Sequence, residues 1–138
     1  MGCHYGVWKI NLNKVVIKTV NAPKALGVYS QGIKSDDFIY TSGQIGINPR
    51  TDSMEQDDIL IEIKQVLENI RGILEEGGSS LNAIIKLTVF LTDIDYFKDV
   101  NNVFNEYFSE NPPARSAVEV SALPMGARVE IEAIGRVE

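Results

Sequence analysis

The stretch DDILIEIKQVLENIRGILEEGGSSLNAIIKLTVFLT, residues 57–92, changes its apolar period halfway along. Its first part repeats apolar residues at the spacing of one helix face, after an aspartate pair that can cap a helix and before a glycine pair that can end one. Its last nine residues alternate like a strand, which predicts an inward side made of Ile85, Leu87, Val89 and Leu91. The stretch therefore predicts a helix over 57–76 and a strand over 84–92.

Strands are also predicted on both sides of this unit, together with one further helix. The apolar and β-branched runs lie at 15–20, 33–47, 115–122 and 127–137, and the second helix covers about 96–110. Strands, helix, strand, helix and a strand pair, in that order, predict a two-layer α+β domain with a mixed sheet and both helices on one face. We expect this single domain to span residues 15–138, after a leader at residues 1–14 whose role the sequence does not reveal.

Composition narrows the possible functions. The chain has 138 residues, 44% of them hydrophobic, and a formal net charge of −6. An acidic surface repels a nucleic-acid backbone, so we expect no nucleic-acid partner. There is no apolar run long enough to cross a membrane and no recognisable secretory signal, which predicts a cytoplasmic protein without a membrane partner.

The single histidine and the single cysteine, His4 and Cys3, both belong to the leader. Catalytic schemes built on Ser-His-Asp, on Cys-His or on histidine ligands to a metal therefore lack their parts in the predicted domain. Any chemistry there must rest on carboxylates, Arg, Lys, Tyr, hydroxyls, amides and backbone groups.

The last two predicted strands carry charges on alternate positions. We expect the apolar positions to meet the helices, which assigns to the opposite sheet face the charged residues Arg115, Glu119, Arg128, Glu130 and Glu132. One interpretation is a solvated face with cross-strand charge pairs. The other is a face covered by a second subunit, with a crevice at its rim; it is favoured by the aromatic residues Phe38, Tyr40 and Phe90, which association would hide.

Four polar residues form the set that a small carboxylic acid would need. They are a guanidinium for a bidentate grip, an amide and a phenol for orientation, and a carboxylate to handle a proton: Arg115, Asn101, Tyr29 and Glu130. Each also has a structural interpretation. An arginine where a strand begins can be an ion-pair anchor, an asparagine on an apolar stripe can satisfy a buried backbone group, and a loop tyrosine can pack on the core.

Five ordered motifs resemble one known family: GVYSQG at 27–32, YTSGQIGINPRT at 40–51, KLTVFLTDIDYFKDVN at 86–101, PPARSAVEVSALP at 112–124 and VEIEAIG at 129–135. They are similar to motifs of the RidA, or YjgF, family of enamine and imine deaminases. The resemblance implies a chorismate-mutase-like α+β fold in a homotrimer, with a central barrel and clefts between subunits. It also implies substrates such as 2-aminoacrylate, 2-iminopropanoate and 2-iminobutanoate, hydrolysed to 2-oxo acids and ammonia without a metal or organic cofactor.

The resemblance assigns three residues to catalysis. Arg115 matches the arginine that grips the substrate carboxylate. Tyr29 matches a tyrosine that lines the cleft, and Glu130 matches a glutamate proposed to position or activate water. The resemblance therefore favours the interpretation that Arg115 binds a single substrate carboxylate over the interpretation that it is an ion-pair anchor within the chain.

Four more residues match substrate-binding positions of the family: Ser42, Gly43, Asn101 and Ala117. Gly43 and Ala117 would contribute through their backbone. The family often has cysteine at the position of Ala117, so this chain departs from the pattern there, and thiol chemistry at that position is excluded.

Two other functions remain open at this point. The first is a non-catalytic module that binds a 2-oxo acid or a similar metabolite and regulates a partner enzyme; it needs Arg115 but not Glu130. The second is an endoribonuclease or translation inhibitor, as some members of the family are described. The acidic balance of the chain disfavours the second.

Overall fold

The computed structural model describes residues 13–138, which form a six-stranded sheet with two helices on one face. The expected leader, with Cys3 and His4, lies outside the described residues except for Asn13 and Lys14. The α+β architecture with both helices on one side is the one that the sequence predicted. Within the described residues no helix has the length and apolar character needed to span a membrane.

The elements follow the predicted order. The large sheet consists of β1 (Val15–Ile17), β2 (Gly32–Ser35), β3 (Phe38–Thr41), β6 (Ile84–Leu91), β7 (Ala114–Glu119) and β8 (Val129–Arg136), and a short hairpin pairs β4 (Ile47–Asn48) with β5 (Ser53–Met54). The helices are α1 (Ile59–Glu76) and α2 (Phe97–Tyr107). The strand order is β1-β2-β3-β8-β6-β7, and β6–β7 is the parallel pair because α2 forms the crossover between those strands. Strand β7 therefore lies at an edge.

Helix α1 provides most of the helical side of the core. The Asp58 carboxylate accepts a hydrogen bond from the Leu60 amide, and Gly77 ends the helix by donating back to the last turn. Its inward stripe is fully buried against the sheet and consists of Ile63, Val66, Leu67, Ile70, Ile73 and Leu74. The expected cap and stop of this helix are confirmed.

Strand β6 corrects one expected inward residue. Leu87, Val89 and Leu91 are buried as predicted, but Ile85 is 46% exposed and Ile84 is buried in its place. The pairing of β6 with β8 shifts register between Ile84 and Lys86, and such an irregularity breaks the period-two alternation.

Strand β7 reverses the expected face of Arg115. Arg115, Ala117 and Glu119 pair with Leu87, Val89 and Leu91, which are buried beneath the helices. Paired residues of neighbouring strands point to the same side of a sheet, so these three side chains lie on the helical side. The expectation that Arg115 and Glu119 share a face with Glu130 is therefore wrong. Val118 points to the side of the sheet that the helices do not cover, and it is 44% exposed.

The opposite face of the sheet, called here the open face, carries Glu130 and Glu132 as predicted. Glu130 pairs with Phe90, and Glu132 pairs with Thr88. Tyr40 on β3 is also exposed there.

Arg128 lies on the helical side as well, because it forms a buried ion pair with α1. The fully buried Glu62 carboxylate accepts hydrogen bonds from the Arg128 amide at 2.9 Å and from its Nε at 2.7 Å. The Arg128 Nη2 also donates to the Gln56 carbonyl at 2.7 Å. The pair fixes the start of β8, and the expectation that Arg128 belongs to the open face is wrong.

Candidate functional site

Glu130 and Gly43 are brought together by the loop that follows β3. The Gln44 amide donates to the Ile131 carbonyl at 2.8 Å, and the Ile131 amide donates back at 3.0 Å. This isolated bridge holds the loop so closely against β8 that a Cβ at residue 43 would overlap the Glu130 carboxylate. Any larger residue there would require the Glu130 side chain to move.

The Glu130 carboxyl is half-buried. Burial raises its pKa above the ordinary value for glutamate, and the nearby Glu132 charge raises it further. A carboxyl group whose pKa is shifted toward neutrality can take up and return a proton more readily than an ordinary one.

Ser42 connects this loop to the segment that carries Tyr29. The Ser42 hydroxyl donates to the Ser30 carbonyl at 2.5 Å, and the Ser42 amide donates to the Gln31 carbonyl at 2.9 Å. Tyr29 is about half-exposed, and its hydroxyl accepts a hydrogen bond from the Leu26 amide at 3.2 Å. Tyr29 and Ser42 line one surface hollow of about 680 Å³, which also contacts Tyr40.

Gln31 holds the loop before β2 in place, and sequence reasoning missed it. Its buried side chain accepts from the Thr19 amide and donates to the carbonyls of Thr19, Ala22 and Pro23, at 2.7 to 3.2 Å. The available signal was its place within the YSQG motif, but a polar residue in a polar loop gives no periodicity from which burial can be inferred.

Arg115 lies apart from these residues, at the start of β7. Its Nη1 donates to the Asn101 Oδ1 on α2 at 2.8 Å, and its guanidinium carbon lies 4.9 Å from the ring centroid of Phe97 and 5.4 Å from that of Phe104. Ala117 packs against the core from the same strand. No carboxylate among residues 13–138 forms an ion pair with Arg115, and residues 1–12 contain no acidic residue.

The structure thus divides the seven expected site residues into two groups. The first group, called the loop half-site, consists of Tyr29, Ser42, Gly43 and Glu130. The second, called the arginine half-site, consists of Arg115, Asn101 and Ala117. Glu130 belongs to the open face and Arg115 to the helical side, so a single chain does not bring the two half-sites to one side of the sheet.

The two half-sites can do different chemistry. An arginine held by an amide and two rings can bind a carboxylate, whereas a half-buried carboxyl with a raised pKa can handle a proton. Among residues 13–138 there is no group of three or more His, Cys, Asp or Glu side chains arranged to hold a metal ion.

The sequence and the α+β fold together place the chain in one class of protein. The family model described as Endoribonuclease L-PSP matches residues 19–137. The chain belongs to this family, which is the YjgF/RidA family.

The names of similar proteins differ in the function that they state. The chain is 53% identical over 121 residues to a RutC family protein of Pyrococcus horikoshii, covering 88% of this chain and 96% of that one. It is 44% identical to the human 2-iminobutanoate/2-iminopropanoate deaminase, covering 90% of each chain. The crystal structure of RidA from the Antarctic bacterium Psychrobacter is similar with a TM-score of 0.86 and 44% identity, over 89% of this chain and 99% of that one.

Proposed function

We propose that the chain hydrolyses reactive enamine and imine intermediates, namely 2-aminoacrylate, 2-iminopropanoate and 2-iminobutanoate, to 2-oxo acids and ammonia. The name of the human relative supports this reaction. We propose further that residues 15–138 form the active domain, in the cytoplasm, without a metal or an organic cofactor.

The observation that carries the proposal is the environment of Arg115. This guanidinium is held by an amide and two aromatic rings, with no carboxylate of the chain paired to it. An arginine that is held in place but has no carboxylate partner suits an external anion. The carboxylate that every proposed substrate carries supplies one.

We also propose that the active unit is a homotrimer, with each cleft formed by two subunits around a central barrel. The separation of the two half-sites within one chain supports this, because a second copy can bring its loop half-site to the arginine half-site of the first. The open face supports it as well, since Tyr40 and Val118 are exposed there and association would cover them.

In the proposed reaction, Arg115 holds the substrate carboxylate while Asn101, Ser42 and the phenol of Tyr29 orient the imine. An enamine substrate first takes up a proton at its terminal carbon, which converts it to the imine. With the imine nitrogen protonated, the oxygen of a water molecule bonds to the imine carbon and one water proton passes to the Glu130 carboxylate. Glu130 returns this proton to nitrogen, the carbon–nitrogen bond breaks, ammonia leaves, and the remaining hydroxyl loses its proton to become the oxo group.

The direct test generates 2-iminobutanoate in place with an amino-acid oxidase and follows release of 2-oxobutanoate with and without the protein. Faster release with the protein supports the proposal. An unchanged rate at micromolar protein would refute the catalytic function.

Replacement of Arg115 should lower activity without unfolding the protein. A lysine has a point charge on a flexible stem and cannot make the planar two-bond grip, so Arg115→Lys should already be impaired, and Arg115→Ala more so. The coupled imine assay measures the loss, and circular dichroism checks the fold. Near-native turnover in Arg115→Ala would indicate that Arg115 has only a structural role.

The shared cleft predicts subunit complementation. Light scattering should give a trimeric mass at micromolar protein. Arg115→Ala and Glu130→Gln chains, unfolded together in equal amounts and refolded, should recover activity, because about one quarter of all clefts would combine an intact arginine half-site with an intact loop half-site. A monomeric mass would contradict the trimer, and inactive mixed trimers would show that both half-sites of a cleft come from one chain.

A binding module for 2-oxo acids would use Arg115 in the same way. It would not need Glu130, so the effect of Glu130→Gln on turnover and on binding separates the two functions.

A further inference from the structure

Two aromatic rings flank the guanidinium of Arg115, and they differ in burial. Phe104 is 8% exposed and belongs to the hydrophobic core, whereas Phe97 is 36% exposed at the first residue of α2. The buried residues of this helix are Val100, Val103 and Phe104, and Phe97 is not among them. Packing of the core therefore accounts for Phe104 and leaves the position of Phe97 unexplained.

The contact that Phe97 does make is with Arg115. Its ring centroid lies 4.9 Å from the guanidinium carbon, which is the shorter of the two distances. A cation within about 6 Å of a ring centroid is attracted by the electron density of the ring face. The Asn101 side chain accepts a hydrogen bond from Nη1 of the same guanidinium. The amide and the rings together therefore restrict rotation of the guanidinium.

We infer that Phe97 is a positioning residue, which orders Arg115 so that its free N–H groups face an incoming carboxylate. The inference rests on the proposed function, because it assumes that Arg115 binds a carboxylate. A long arginine side chain loses rotational freedom when it binds a ligand, and a group ordered beforehand loses less. The ring also shields the cation from water, which strengthens its attraction for an anion.

The experiment compares Phe97→Leu with Phe97→Tyr. Leucine keeps an apolar side chain but removes the ring, whereas tyrosine keeps the ring face. Calorimetry with 2-oxobutanoate should show roughly 3- to 30-fold weaker binding for Phe97→Leu, which is the range for loss of one cation–ring contact, and recovery close to the wild-type Kd for Phe97→Tyr. In the imine assay KM should rise by a similar factor while kcat changes less.

A matched control comes from a second arginine–ring pair. The guanidinium carbon of Arg71 lies 6.0 Å from the ring centroid of Tyr107, and neither residue belongs to a half-site. Tyr107→Leu removes this ring and should leave the Kd for 2-oxobutanoate unchanged. Equal weakening by Tyr107→Leu and Phe97→Leu would show that loss of any ring on α2 disturbs the site, and would overturn the inference.

A measurement without ligand separates this inference from the proposed function. Nitrogen relaxation of the Arg115 Nε–Hε group, assigned by its absence in Arg115→Lys, should show a lower order parameter in Phe97→Leu than in the wild type and in Phe97→Tyr. An unchanged order parameter would refute the positioning role. If the order parameter falls but the wild type neither binds 2-oxobutanoate nor accelerates imine hydrolysis, Phe97 orders Arg115 as inferred and the proposed function is the part that fails.

Discussion

Glu130→Gln is expected to lower the turnover of 2-iminobutanoate by ~10²-fold or more, which is the usual effect of losing one general acid–base group. Glutamine keeps the size of the side chain but cannot accept the proton of the attacking water. Binding of 2-oxobutanoate should change much less, because Arg115 still holds the carboxylate. The coupled imine assay and calorimetry measure the two quantities on one preparation.

The control for this substitution is Glu132→Gln on the same face of the sheet. Glu132 is exposed and lies two residues from Glu130, so the variant makes the same chemical change outside the half-site. We expect near-native turnover in Glu132→Gln. If turnover survives in Glu130→Gln, another group activates the water; if the wild type binds the oxo acid without accelerating hydrolysis, the chain is a binding module.

The pH dependence separates catalysis from stability. Burial and Glu132 raise the pKa of Glu130, so activity that needs its ionised form should fall, as pH is lowered, at a higher pH than for an ordinary glutamate.

For a carboxyl whose pKa is raised by folding, the stabilisation is present below the unfolded pKa and is lost as pH rises through the folded pKa. Glu130→Gln should therefore keep or raise the free energy of unfolding at neutral pH while turnover falls.

Arg128→Met is expected to lower the free energy of unfolding by about 3–5 kcal/mol, the usual cost of leaving one charge of a buried pair without its partner. Glu62 is fully buried and accepts two hydrogen bonds from Arg128, so removal of the guanidinium leaves an uncompensated carboxylate in the core. Denaturant unfolding followed by circular dichroism, at equal protein concentrations, measures the loss.

Two comparisons test the cause of that loss. The double variant Glu62→Gln, Arg128→Met removes both charges and should recover part of the lost stability. The exposed pair of Lys64 and Glu106, with 3.3 Å between Nζ and Oε2, serves as control, and Lys64→Met should cost less than about 1 kcal/mol. Equal losses in the buried and exposed pairs would contradict the importance of burial.

The core was predictable from sequence because α1 and β6 are covered elements with strong periodicity. The side chains of a covered strand must alternate between core and opposite face, so Leu87, Val89 and Leu91 could be assigned correctly. The same alternation gave the wrong side for Ile85, because the pairing of β6 with β8 shifts register there. Alternation therefore predicted the buried residues correctly where the strand is regular and lies under the helices.

The site was predictable in its residue types but not in its arrangement. Periodicity could not give the face of Arg115, because β7 is an edge strand whose exposed side carries an apolar residue, Val118. The buried hydrogen bonds of Gln31 likewise leave no periodic trace. The resemblance to family motifs supplied the candidate residues, and the pairing of strands showed that they form two groups.

The contact between Gly43 and Glu130 couples the evolution of two positions that are distant in the sequence. Because even one methyl group at residue 43 would displace the carboxylate, a substitution there is compatible with Glu130 only if its carboxylate moves away from the observed position. A lineage that gave up the carboxylate would release the constraint, and side chains larger than hydrogen would become acceptable in the loop. A residue other than glycine at position 43 of a descendant therefore indicates that the Glu130 side chain has been replaced or has moved.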